Sequence, residues 1–436
     1  MFVRLINTII ILLLIDCFGI LPESTILKVI VDVLLLGLSF YIILRKRRES
    51  DEAEKYIRNI FLFFLIVTIY TYLCGGSTLG DIYKFIRIYF PLLFVIPLMY
   101  DINYTKDGFK YYLKVFKVIE LCVSIMLLLI SVFHLGIFSS WPRLTYGYQD
   151  GDYIPGLLRV YIFSSFTFPI VEFIFLVYSL FLGIKVNKIL FTLITIGFVL
   201  QGFRSYILAT ILIVIISIFN FLRKQRGFSL MKLIKRNFII FILVAFVGST
   251  FIGKRIASGV SDFVNVSGTF GARVLLDAFR LKVFSENILF GVGFLHNDSQ
   301  RAKDMGVTSS QELRAALTED NSDVLQQSAI YSLRATDSGY LDLLIQFGVI
   351  GCILFFILYF SIYNKYGKFL KIDSNVQLRI YLLATRTVVL LLIFTLISHS
   401  GLTNVYGLLP LAFVLSFAQY QVNLNRSSKS ISTLSS

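Results

Sequence analysis

Three arginines and one carboxylate have types and spacings that point to chemistry. Between Phe270 and Phe284 the apolar residues Val274, Leu275, Ala278, Phe279 and Leu281 recur at helical intervals. Arg273, Asp277 and Arg280 fall at i, i+4 and i+7 on one face of that helix, the two arginines roughly 10 Å apart along its axis. Gly268-Thr269 can supply its cap. Arginine suits a phosphate group because its planar fork donates two parallel hydrogen bonds and stays charged. The same spacing also fits an Arg–Asp–Arg ion-pair ladder on a solvated face. Arg204 sits in Gln201-Gly-Phe-Arg-Ser205 between two apolar runs. It must there be paired, face a watery cavity or snorkel to headgroups. Asp337, in Ala335-Thr-Asp-Ser-Gly-Tyr340, precedes another apolar run. It fits a helix cap, or a general base that takes the proton of an attacking hydroxyl.

The elements that position these residues are membrane spans. The chain has 436 residues, 57% of them hydrophobic and 15% charged, with mean hydropathy +0.80. A soluble chain is nearer half apolar and a quarter charged. The apolar residues gather in runs of spanning length, and the pattern predicts an all-α polytopic membrane bundle of about twelve transmembrane helices. The expected spans are 5–21, 26–44, 60–74, 82–100, 113–134, 161–183, 189–202, 204–222, 237–253, 340–363, 380–398 and 402–420. The first, with Asp16 and no small-residue cleavage site after it, reads as a span and not a removed signal.

The net charge of +15 resides in short loops after even-numbered spans, as in Arg45-Lys-Arg-Arg48 and the cluster from Arg223 to Arg236. This is the positive-inside pattern. It argues against nucleic-acid binding and puts both termini in the cytoplasm. Residues 189–222 lack a polar loop, and a single helix there would send the Arg223–Arg236 cluster outside. Two short spans with a tight hairpin near Gln201-Gly202 are therefore expected, which sets Arg204 at the outer face. Spans one to nine occupy 1–253, with a smaller external loop at 135–159. A large external loop covers 254–339, spans ten to twelve fall in 340–420, and a disordered cytoplasmic tail covers 421–436. The large loop carries nine basic and ten acidic residues, a near-balance that favours no charged funnel, and is long enough for two or three short helices. Arg87, Glu120, Glu172 and Arg386 are charges inside expected spans and are suspect for function on that ground. Cys17, Cys74, Cys122 and Cys352 read as packing residues. The isolated His134, His296 and His399 make no metal site.

Three segments in order resemble the O-antigen polymerase and O-antigen ligase superfamily. They are Gly202-Phe-Arg-Ser205; Gly271-Ala-Arg-Val-Leu-Leu-Asp-Ala-Phe-Arg280 with Ile288-Leu-Phe-Gly-Val-Gly293; and Asp337-Ser-Gly-Tyr-Leu-Asp-Leu-Leu with Gly348-Val-Ile-Gly351. The resemblance implies a metal-independent, cofactor-free glycosyltransferase with a GT-C-like fold. It would work on undecaprenyl-diphosphate-linked glycans at the outer face of the bacterial inner membrane, with a chain-length regulator as a possible partner. It further implies that Arg204 and Arg273, with Arg280 as a weaker addition, hold the donor diphosphate. The ligase branch usually has His where this chain has Asp337, which favours the polymerase branch. A ligase that transfers polymer to lipid A core remains the nearest alternative, and a lipid-linked oligosaccharide flippase is the alternative of another class.

Overall fold

A computed structural model describes residues 2–18, 25–45, 51–75, 77–104, 107–133, 144–147, 159–162, 167–200, 204–223, 268–297, 299–307, 339–372, 375–396 and 405–434. In chain order the helices are α1 (Phe2–Phe18), α2 (Thr25–Arg45), α3 (Glu52–Gly75), α4 (Leu79–Ile86), a 3₁₀ segment (Arg87–Phe94), α5 (Val95–Tyr104) and α6 (Gly108–Phe133). They continue with α7 (Thr167–Phe181), α8 (Lys188–Leu200), α9 (Arg204–Arg223), α10 (Gly268–Glu286), α11 (Gln300–Asp304), α12 (Gly339–Ile372), α13 (Val376–Thr395) and α14 (Val405–Leu434). The all-α expectation holds. Among the described residues six helices are long and apolar enough to cross a membrane, and four shorter apolar ones accompany them. The chain is a polytopic helical membrane protein. The run expected as span nine, 237–253, lies outside the described residues.

The bundle closes on α14. From Leu408 to Ala418 its side chains are almost all fully buried, packed by α13, α5, α7 and the 3₁₀ segment. Phe413 and Phe417 meet Phe116 of α6, and Phe413 also meets Phe94. The opposite character marks α2 and α3. Ile30, Val33, Leu36 and Phe40, and likewise Leu62, Leu65, Ile66 and Ile69, stay exposed, as a lipid-facing stripe must. Between Ile189 and Leu222 the chain does form two helices, α8 ending at Leu200 and α9 beginning at Arg204.

Two boundaries differ from the sequence reading. The tail expected to be disordered instead continues α14 to Leu434. Gln419 donates to Asn423 one turn on (3.0 Å), Asn423 donates to Asp51 (3.0 Å), and Arg426 stacks over Phe369 at 5.0 Å. These contacts hold α14 as far as Arg426, and the helix runs on to Leu434. The sixth span begins later than expected. Residues Arg159–Ile162, a β-favouring Val-Tyr-Ile run, pair antiparallel with Leu144–Gly147 in a small ribbon (Leu144 opposite Ile162), and α7 begins only at Thr167.

α12 is interrupted at Gly348, whose φ of 61° and ψ of −174° are not helical. The break removes the helical bonds that Val349 and Ile350 N–H would give to Ile345 and Gln346. A chain segment after α10 replaces them. Val292 and Gly293 N–H donate to the Ile345 and Gln346 carbonyls (2.7 and 2.8 Å). Val349 and Ile350 N–H donate to the Ile288 and Leu289 carbonyls (2.8 and 3.1 Å). Backbone comes so close that a Cβ on Gly291 would lie 2.5 Å from Gly348 N, and one on Gly348 would meet the Leu289 carbonyl. Positive φ at both residues (66° and 61°) favours glycine independently. Gly348→Val or Gly291→Val is therefore expected to cost at least about 3 kcal/mol. Gly37→Ala, inside α2 with open space around it, should leave stability unchanged or raise it by up to about 1 kcal/mol. Thermal melts of the detergent-solubilised variants check the contrast.

Candidate functional site

The site builds outward from this junction. α10 carries both Arg273 and Arg280. Its far half packs through Val283, with Phe279 and Phe284 beside it, on Leu341 and Ile345 of α12, in a small core shared with Val292, Leu295, Ala302 and Val307. The arginine-bearing helix is thus fixed against the first turns of α12. Asp337 lies outside the described residues, two positions before Gly339, where that helix begins.

The segment after α10 is stitched to neighbouring elements at each step. Asn287 donates to the Val283 carbonyl (3.0 Å) and accepts from one arm of Arg301 (2.9 Å). The other arm of Arg301 donates to the Cys74 carbonyl at the end of α3 (2.9 Å). Tyr70 hydroxyl donates to the Gly291 carbonyl (3.1 Å), and Phe294 N–H donates to Thr71 hydroxyl (2.9 Å), which donates to the Val67 carbonyl (2.7 Å). Phe294 itself enters the aromatic core with Phe64 and Phe347. His296 reaches α4, its Nδ1 3.8 Å from Asp81 and its ring 6.0 Å from that of Phe85. Ile288, Leu289 and Phe290 remain about half exposed, with the Phe290 ring 6.3 Å from that of Tyr70. Three consecutive apolar side chains in that position suit the apolar edge of a bilayer.

The structure distributes the expected site residues as follows. Arg204 is the first residue of α9. Arg273 and Arg280 share α10. Arg280 is buried (4% exposed) and pairs with Asp277 at 3.2 Å, so for this half of the triplet the ion-pair alternative is realised. Of the charges expected inside spans, Glu120 and Glu172 are buried in α6 and α7. Arg386 lies 4.0 Å over the Tyr363 ring, a cation–π contact that offsets desolvation. Arg87 faces Asp32 across α2, with Nε 3.4 Å from the carboxylate, and Tyr83 donates to the same carboxylate at 2.6 Å. His134 and His399 lie outside the described residues.

Sequence reasoning missed Asp32, Thr71, Asn287 and Arg301. For Asp32 a signal existed, a carboxylate within an apolar run. Arg301 gave none, because its partners are a backbone carbonyl and an amide far away in sequence.

The fold and the site define a multi-pass membrane protein with an arginine-bearing helix docked on an interrupted span. Residues 189–356 match the family model described as O-antigen ligase. That segment, less than half of the chain, is similar to the O-antigen ligase family, and the match does not distinguish the polymerase branch of the superfamily. No curated protein matches the chain.

Arg301→Ala removes two charge-assisted hydrogen bonds that tie α10 and α11 to α3. It should destabilise residues 287–307 by roughly 2 kcal/mol. Hydrogen exchange in that segment is expected to accelerate by more than about tenfold, with α13 and α14 unchanged.

Proposed function

We propose that the protein is a polysaccharide polymerase, which joins undecaprenyl-diphosphate-linked repeat units into an O-antigen or capsule-type polymer at the outer face of the cytoplasmic membrane. The observation that carries this reading is the arginine helix α10, docked on the span that follows Asp337, within the segment matched to the superfamily. The growing chain on its carrier is the donor, and a single lipid-linked repeat is the acceptor. The acceptor hydroxyl oxygen attacks the anomeric carbon at the donor's reducing end. The bond from that carbon to the diphosphate oxygen breaks, the electron pair leaves with undecaprenyl diphosphate, and Asp337 takes the hydroxyl proton.

Diphosphate is already a competent leaving group. The protein's task is to hold the partners in line and to stabilise the charge that develops on the leaving oxygens. Fixed arginines do this without a metal. Arg204 and Arg273 are assigned to the donor diphosphate. Arg280, paired with Asp277, supplies field and rigidity from the same helix. Both termini are assigned to the cytoplasm by the distribution of basic residues, which sets the loop 254–339 outside. A chain-length regulator is the expected protein partner.

The description of the matched family keeps a second reading in view, a ligase that transfers finished polymer to lipid A core. The residue at 337 separates the two, since an aspartate stands where the ligase branch usually has histidine.

Arg204→Ala is expected to abolish polymer while the protein remains inserted at normal level. Glycan electrophoresis of a deletion strain carrying the variant reads the outcome. A normal ladder would remove Arg204 from the mechanism. Polymer that accumulates on undecaprenyl diphosphate but never reaches lipid A in the deletion strain itself would favour the ligase.

A further inference from the structure

Arg87 opens the 3₁₀ segment that follows α4. That segment has eight residues and α5 has ten. At about 2.0 and 1.5 Å of rise per residue they cover roughly 31 Å, close to the ~30 Å hydrocarbon thickness. Measured from the α5 end of the apolar stretch Leu79–Asn103, Arg87 therefore stands one hydrocarbon thickness away, near a membrane boundary. Four neighbours identify which one. Asp81 and Lys84 on α4 precede it, His296 lies against Asp81, and Arg301 touches the end of α3. It is the boundary at which the segment after α10 docks.

The guanidinium is held in one orientation. Asp32 faces its Nε edge at 3.4 Å, and the same carboxylate is fixed by Tyr83 hydroxyl at 2.6 Å. Asp32 is nearly buried, while the Arg87 side chain keeps 22% of its surface open. Among the described residues no acceptor takes the two terminal amines. An arginine braced on one edge with its fork open presents the geometry that grips a phosphoryl group with two hydrogen bonds. Its position at the hydrocarbon boundary selects a phosphate that carries a lipid tail.

We propose that Arg87, oriented by Asp32 and Tyr83, binds the diphosphate of a second prenyl-linked glycan, the acceptor. The site follows α4, which His296 of the 287–297 segment reaches through Asp81, and the donor arginine, Arg273, stands on α10, the helix that leads into that segment. The identity of the ligand as acceptor rests on the polymerase reading, which requires two lipid diphosphates at once. Ordinary phospholipid headgroups share the phosphate chemistry, and the test separates them.

Native mass spectrometry of the full-length protein in detergent, titrated with undecaprenyl diphosphate, counts the sites. Two bound equivalents are expected for the natural sequence. Arg87→Gln should retain one, and Arg273→Gln should retain the other. Arg87→Lys keeps the charge without the fork; it should bind about tenfold more weakly at this site, and it serves if the glutamine variant does not fold. One equivalent in the natural protein, or two undiminished in both Arg87 variants, overturns the proposal. So does displacement of the Arg87-dependent equivalent by equimolar phosphatidylglycerol, which would mark a plain headgroup site. In a reconstituted elongation assay, Arg87→Lys should raise the half-saturating concentration of single repeats with the maximal rate little changed. If the Arg87-dependent equivalent is present but no chain is ever elongated by the natural protein, the prenyl-diphosphate site stands and the polymerase reading falls.

Discussion

Where α12 breaks at Gly348, two carbonyls and two amides lose their helical partners, and the chain between Ile288 and Gly293 supplies all four replacements. Non-helical backbone at membrane depth is tolerated only where protein satisfies it. The break and the inserted segment therefore depend on each other. The arrangement of the site follows from that dependence. α10, with Arg273 and Arg280, leads directly into the inserted segment. α12 begins two residues after Asp337. Arg301, Thr71 and Tyr70 then fasten the segment to α3, and His296 carries it to α4. A long polar loop would otherwise move freely over the bundle, at considerable entropic cost to any geometry needed for catalysis.

Among the described residues two kinds of polar contact stand out inside the bundle. Some serve packing. Tyr178 and Thr387 share a hydroxyl contact of 2.5 Å, Tyr112 donates to Asp101 at 2.6 Å, and Arg386 is covered by Tyr363. The others gather at the end of the bundle where the inserted segment docks, as Arg87 with Asp32 and Tyr83, and Lys84 with Asp81. The proposed reaction on diphosphate-linked lipids calls for cations at that depth.

Much of the frame was legible in the sequence. Apolar runs of spanning length and the basic cluster after residue 222 were enough to split 189–222 into two helices, and the structure has that split. The triplet Arg273, Asp277 and Arg280 was legible as one helical face, yet periodicity could not say which arginine would be buried in a pair. Gly291 and Gly348 stood out as motif residues, but their contact joins segments more than fifty residues apart, and no local pattern encodes it. Asp32 was passed over because a single carboxylate in an apolar run gives no indication of its partner until α2 and the 3₁₀ segment meet. The start of the tail gave no sign of its anchors, because the partners of Asn423 and Arg426 are Asp51 and Phe369, far away in sequence.

The most direct test is elongation by the purified protein alone. The protein is reconstituted in lipid nanodiscs with labelled undecaprenyl-diphosphate-linked repeat units and a metal chelator. The account predicts a ladder of carrier-linked products, with one undecaprenyl diphosphate released for each bond formed. Repeats that stay single, or that move only once lipid A core is supplied, would contradict it.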